Sequence, residues 1–137
     1  NQLKAAAPTA ERGGIQLALE STLTSAQYLD VLERVGSPAV SIYLDMSNPT
    51  YWLHNTPEQI LSLGSAVGQI HFKEGNMEGG PGATDLGEGY NDWDEIVAAL
   101  RDAGYQGWAV LETPGGRDPL ASAGKNLEFA RKMAAQL

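Results

Sequence analysis

The sequence predicts an α/β fold of four successive βα units, half of an eight-unit (β/α)8 barrel, and three observations predict it. From Gly14 onward, short apolar runs alternate with longer amphipathic ones. Each short run is nearly continuous in apolar residues, as parallel strands buried on both faces tend to be, and each ends in a polar residue. The chain also opens in what reads as the end of a helix, residues 1–12 with Gly13 and Gly14 as its stop signal. Four units also suffice for a small open sheet; the opening helix favours the half barrel.

The strands are expected at residues 15–20 (IQLALE), 40–45 (VSIYLD), 69–73 (QIHFK) and 108–112 (WAVLE). The first helix after them covers 24–35, with Thr24 or Ser25 as N-cap and Tyr28, Leu29, Leu32 and Val35 on one stripe. Thr56 starts the next, with Pro57 in the first helical position and Ile60, Leu61 and Leu63 inward. Asn91 or Asp92 caps the third, which carries Ile96, Val97 and Leu100 and stops near Gly104. The last covers 119–135 and offers Leu120, Leu127, Phe129, Ala130 and Met133 for packing.

Connections are short apart from residues 74–90 (EGNMEGGPGATDLGEGY), a glycine-rich stretch that reads as a functional loop leaving the C-terminal end of a strand. It completes no Walker or dinucleotide fingerprint, and a flexible lid is the reading it supports. The units show no self-similarity that would mark a duplication.

Composition narrows the function classes. At 137 residues and 42% hydrophobic, residues 1–137 are expected to form one domain or a piece of one, and the start at Asn1 inside a helix suggests a piece. Nine Lys and Arg against 17 Asp and Glu give a net charge of -8, with no basic patch, so no nucleic-acid partner is expected. The chain has no apolar run long enough for a membrane span and no visible leader, so no membrane role and a cytoplasmic location are the default expectation. The absence of cysteine excludes disulfides and thiolate ligands, and leaves oxygen and imidazole for any metal.

One positional pattern carries chemistry. Glu20, Asp45 and Glu112 close their strands, and His71 sits near the end of its own. Ligands and catalysis in a parallel barrel gather at the C-terminal ends of the strands, so these four side chains would converge on one rim. Two Glu, one Asp and one His suit Mn²⁺, Mg²⁺ or Co²⁺, and also Zn²⁺. Three carboxylates buried side by side would be costly without a cation between them. Singly, each acid reads equally as a cap or turn residue, and His71, between Ile70 and Phe72, as a core histidine. The joint pattern favours a site.

Through LALE, YLDMSNP, QIHFKE, DLGEGYNDWDEI and GYQGWAVLE, in that order and spacing, residues 15–130 resemble the sugar phosphate isomerase/epimerase family of metal-dependent, xylose isomerase-like TIM barrels. That family includes tagatose 3-epimerases and L-ribulose-5-phosphate 3-epimerases. The resemblance implies about four C-terminal βα units of a TIM barrel, with residues 1–13 the end of a preceding helix. It implies a metal site of Glu20, Asp45, His71 and Glu112, with Mn²⁺ first among the candidates, and Glu20 and Glu112 as the acid/base pair on opposite faces of a sugar or sugar phosphate. A metal chelating a ketose carbonyl and its neighbouring hydroxyl acidifies the intervening C–H and stabilises an enediolate. One carboxylate then removes the proton and the other returns one. Homodimerisation through outer helices is a further expectation from the resemblance.

Three more positions enter as substrate-binding candidates. Asn48, in DMSNP, matches the asparagine of the ribulose-phosphate epimerase-like branch; the histidine that tagatose-epimerase-like members carry three residues after the aspartate is absent. An arginine soon after His71 and an acid within six positions after Glu20 are absent too. Lys73 and Glu74 look like the family's His-x-Lys-Asp/Glu element, and Lys73 is expected at the rim. Arg117, in TPGGRD, is placed to pair with a substrate phosphate.

An endonuclease IV-like hydrolase would need a histidine-rich multi-zinc site, which two histidines and a charge of -8 argue against. An inosose dehydratase-like lyase and a non-catalytic sugar-binding barrel stay as alternatives. The missing half would supply much of the substrate pocket, so the fragment alone need not be active.

Overall fold

A computed structural model describes residues 2–137; Asn1, the first residue of the expected opening helix, lies outside the described residues. Helix α1 (Gln2–Gly13) leads into β1 (Leu17–Leu19), α2 (Ser25–Val35) and β2 (Val40–Asp45). The short α3 (Asn48–Tyr51) and then α4 (Thr56–Leu63) follow, with a 3-10 turn (Gly64–Ala66) before β3 (Val67–Phe72). A small antiparallel pair, β4 (Gly75–Asn76) and β5 (Gly80–Pro81), precedes α5 (Trp93–Asp102), β6 (Trp108–Leu111) and α6 (Pro119–Ala134). Neither α3 nor the β4–β5 pair has a counterpart in the expected elements.

The main sheet is parallel throughout, in the order β1-β2-β3-β6. This is the arrangement of half a (β/α)8 barrel, as expected. The register places Asp45 beside His71, and His71 beside Val110. It shifts between Ile42 and Tyr43, whose β3 partners are Val67 and Gln69, so Gly68 is passed over. A side chain at Gly68 would overlap that of Ser41, which is why glycine stands there.

The hydrophobic core lies on the helix side of the sheet. Ile42, Leu44, Ile70 and Phe72 are fully buried there with Tyr28, Ile60, Ile96 and Leu100. Each such side chain contributes roughly 1.5–3 kcal/mol by leaving water. Their alternation along β2 and β3 sends Tyr43, Asp45, Gln69 and His71 to the opposite face, which the helices leave clear.

Helix starts follow their capping residues. Thr24 and Gln27 form a reciprocal capping box on α2, Asn55 accepts from Glu58 N before α4, and Asp92 and Asp118 cap α5 and α6. Several apolar residues expected inside are exposed: Leu29, Leu61, Leu120 and Leu127. Leu29 and Leu61 each follow the residue that faces the core, Tyr28 and Ile60, and so turn about 100° away from it. On α6 the buried face is Asn126, Ala130 and Met133, a stripe that Leu120 and Leu127 do not share. Among the described residues no helix is long and apolar enough to cross a membrane.

Candidate metal centre

Four strands deliver the four predicted side chains to one end of the sheet. Asp45 is the last residue of β2, His71 the penultimate residue of β3, and Glu20 and Glu112 directly follow β1 and β6. The backbone ladder continues past the strand ends, with Met46 N–H donating to His71 O and Glu112 N–H to Phe72 O, so these terminal residues are held in register. One ligand atom from each of Glu20, Asp45, His71 and Glu112 lies within 4.8 Å of every other. His71 Nδ1 is the hub, 3.3 Å from Glu20 Oε1, 3.2 Å from Glu112 Oε2 and 3.8 Å from Asp45 Oδ2.

Asp45 is aimed by the chain that follows it. Its Oδ1 accepts from the N–H groups of Ser47 and Asn48, both at 2.7 Å, at the entrance to α3. This turns Oδ2 toward the cluster. Asp45 Oδ2 and His71 Nδ1 are both buried, and neither has a hydrogen-bond partner. A buried polar atom left so is costly unless something else meets it. Two buried donors to a metal, one of them met by the Lys73 ammonium at 3.3 Å, flanked by two carboxylates and all facing one point, fit a divalent cation in both chemistry and spacing.

The electrostatics agree. Burial pushes the Asp45 carboxyl above the usual range, against the pull of the Asn48 N–H and the Lys73 charge. Burial works against the Lys73 ammonium, but its hydrogen bond to Glu112 and the charge of Asp45 outweigh it and raise its pKa. Lys73 Nζ lies 2.9 Å from Glu112 Oε1 and 3.3 Å from Asp45 Oδ2. Of the three substrate-binding candidates, Lys73 therefore reaches the cluster, Asn48 joins it through its backbone N–H, and Arg117 stands exposed in the loop between β6 and α6.

The glycine-rich loop is seated rather than free, contrary to the expectation of a flexible lid. Glu74, fully buried, accepts from Gly75 N and Asn91 N on one carboxylate oxygen and from Gly87 N and Trp93 Nε1 on the other. Leu86 is buried and donates its N–H to Asn126 on α6, while the Tyr90 hydroxyl bonds Ser47. A Cβ at Gly89 would collide with Gly75 O and the Glu74 carboxylate, so the loop closes only around glycine.

Sequence reasoning missed Tyr43, Ser47 and Tyr90 as parts of this region, and it named Glu74 only within the His-x-Lys-Asp/Glu element. Tyr43 stacks on His71, and the period of 2 along β2 was the available signal, since it puts Tyr43 on the face of Asp45. Two surface hollows of about 690 and 460 Å³ lie elsewhere, against α1–α2 and against α2–α4, and include none of the four cluster residues.

Residues 1–133 match the family of xylose isomerase-like TIM barrels. A D-psicose 3-epimerase of Enterocloster bolteae is 34% identical over 89 residues, 65% of this chain and 28% of that protein. A 2-epi-5-epi-valiolone 7-phosphate 2-epimerase of Actinoplanes sp. is 33% identical over 134 residues, 96% of this chain and 49% of that protein. The chain thus spans half or less of the length of these curated relatives. Among solved structures, a D-allulose 3-epimerase from Methylomonas sp. superposes with a TM-score of 0.84 at 22% identity, over 96% of this chain and 53% of that one. At that identity the likeness is one of fold.

Proposed function

The chain belongs to the xylose isomerase-like TIM barrel family, and from that premise we propose that it is the C-terminal half of a single barrel domain in a metal-dependent sugar or sugar-phosphate epimerase or isomerase. The observation that carries the reading is the convergence of Glu20, Asp45, His71 and Glu112, with His71 Nδ1 buried without a hydrogen bond and Asp45 Oδ2 buried with the Lys73 ammonium 3.3 Å away. Relatives that are epimerases of a ketose and of a cyclitol phosphate support the substrate class.

When bound, a divalent cation, Mn²⁺ first among the candidates, would polarise a carbonyl and the neighbouring hydroxyl and so acidify the C–H bond between them. Asp45 and His71, from the two central strands, would hold the cation together with Glu20 and Glu112. Glu20 and Glu112 come from the two outer strands, on either side of that pair. A sugar lying between them meets one carboxylate on each face: one takes the proton, and the other returns one to the opposite side, inverting the centre. Lys73 orients Glu112 through their 2.9 Å hydrogen bond and stands at the rim, where a sugar hydroxyl or phosphate would arrive. Asn48 and Arg117 are the other substrate contacts we assign, Arg117 to a phosphate.

The test is calorimetric titration of Mn²⁺ into the full chain and into His71→Ala. Binding of one equivalent by the parent and none by the variant is expected; a folded parent that binds no Mn²⁺ overturns the reading. In the complete barrel, epimerisation shows as exchange of one substrate C–H with solvent deuterium accompanied by inversion. Loss of water from the substrate instead would identify a lyase.

A further inference from the structure

We propose that Tyr43 is a positioning residue of this site, its ring serving as the platform that fixes the plane of the His71 imidazole. The inference rests on the metal-site reading above and deepens it.

The two rings stack with centroids 3.9 Å apart and planes inclined by 27°. The register explains how. Asp45 is paired with His71 and Tyr43 with Gln69, so Tyr43 lies one step below Asp45 on the same face of β2 and leans diagonally onto the neighbouring strand's histidine. A metal-ligating histidine is ordinarily held by its second ring nitrogen, which donates to a carboxylate or a carbonyl and fixes the tautomer and the ring orientation. Among the described residues no carboxylate or carbonyl is recorded as such a partner of His71. Among the described residues Nδ1 makes no hydrogen bond, and the carboxylates of the cluster itself surround it.

The imidazole can therefore rotate about χ2 unless packing stops it. On its β6 side the register neighbour is Val110, small and partly exposed. Among the described residues the flat surface stacked against the ring is the Tyr43 phenol. Its role is to hold Nδ1 toward Glu20, Asp45 and Glu112, so that the ligand set exists before the cation arrives.

The experiment uses Co²⁺ as the probe, with affinity read by calorimetry and ligand geometry by the visible absorption of the bound ion. The full chain is compared with Tyr43→Phe, Tyr43→Leu and Val110→Ala, all verified as folded by circular dichroism. Tyr43→Phe keeps the flat ring and is expected to match the parent in affinity and spectrum. Tyr43→Leu is expected to bind about tenfold more weakly, with a shifted spectrum, the size of effect typical of losing a ligand's orienting partner. Val110→Ala, which removes packing on the same face without removing the stack, should leave the spectrum unchanged. If Tyr43→Leu does not fold, Tyr43→Met supplies similar bulk without a flat face and carries the same expectation. Parent-like affinity and spectrum in the variant without the ring overturn the proposal while leaving the metal site standing. Failure of the folded parent to bind Co²⁺ removes the site itself, and the proposal with it.

Discussion

The ammonium of Lys73 lies 2.9 Å from Glu112 Oε1, and from the same place it is 3.3 Å from Asp45 Oδ2. One lysine thus bridges an edge carboxylate and the most buried one of the cluster. In the metal-free protein it offsets part of the repulsion among three acids; with a cation bound it becomes a like charge at the site. Lys73→Met is therefore expected to tighten Mn²⁺ binding about tenfold, the Coulomb energy of a nearby unit charge at an intermediate dielectric being on the order of 1–2 kcal/mol. The same variant should unfold at a lower temperature without metal. Titration calorimetry and thermal unfolding read the two effects, and weaker Mn²⁺ binding would show that Lys73 organises the ligands more than it opposes the cation.

Glu74 is the structural counterpart of that site. Each of its carboxylate oxygens accepts from two N–H donors, Gly75 and Asn91 on one side, Gly87 and Trp93 on the other. Glutamine is nearly isosteric, yet whichever way its amide is turned, an NH₂ group faces two donors. We expect Glu74→Gln to destabilise the chain by about 2–4 kcal/mol, measured by urea unfolding. A change within a few tenths of a kcal/mol would mean that water or loop movement satisfies those donors.

What the sequence disclosed follows from where physical signals are local. The strand cores, the caps at Thr24 and Asp92 and the convergence of Glu20, Asp45, His71 and Glu112 at one rim were legible, because burial on both faces and polar strand ends leave marks in adjacent residues. The opening helix was legible to within a residue of its end, at Gly13. The Tyr43–His71 stack was not, since it depends on the register between two strands and on the shift at Ile42 and Tyr43, which no single stretch encodes. The seating of the 74–90 loop was hidden for a similar reason: Glu74, Asn126 and Ser47 act across 17 to 43 residues of chain. Glycine richness alone reads as flexibility.

Asp85 ties that loop to α6, accepting from Asn126 Nδ2 at 2.7 Å and Ser122 Oγ at 3.0 Å, with Lys125 Nζ 3.3 Å away. The hydrogen bond from Asn126 comes first among the causes that hold its carboxyl below the usual aspartate range, followed by those from Ser122 and Lys125. A folded-state pKa below the unfolded one contributes stability that is present above the ordinary aspartate value of about 4 and is lost as pH falls through the folded pKa. Urea midpoints should therefore drop as pH is lowered from about 4, and Asp85→Asn should flatten part of that slope while costing stability at neutral pH. Carboxyl titration followed by NMR gives the direct check: a value at or above the ordinary one would contradict the assignment.

Leu53 is the one described non-glycine residue with positive φ, at 61°, and it is 87% exposed. It sits just past α3, where His54 N–H reaches back to Pro49 O and ends the short helix in a left-handed residue. Left-handed backbone costs a side chain with a Cβ roughly 1–2 kcal/mol, while glycine adopts it freely. Leu53 recovers little of that by burial. Glycine, however, loses more conformational freedom on folding, which offsets part of the gain. Leu53→Gly is expected to stabilise the chain by about 0.5–1 kcal/mol in urea unfolding and to leave Mn²⁺ affinity unchanged, because it is exposed and not part of the cluster. A loss of stability would mean that the leucine is engaged in solution by a surface its exposure does not suggest. The strain at this position would then be retained for contact rather than tolerated by a turn.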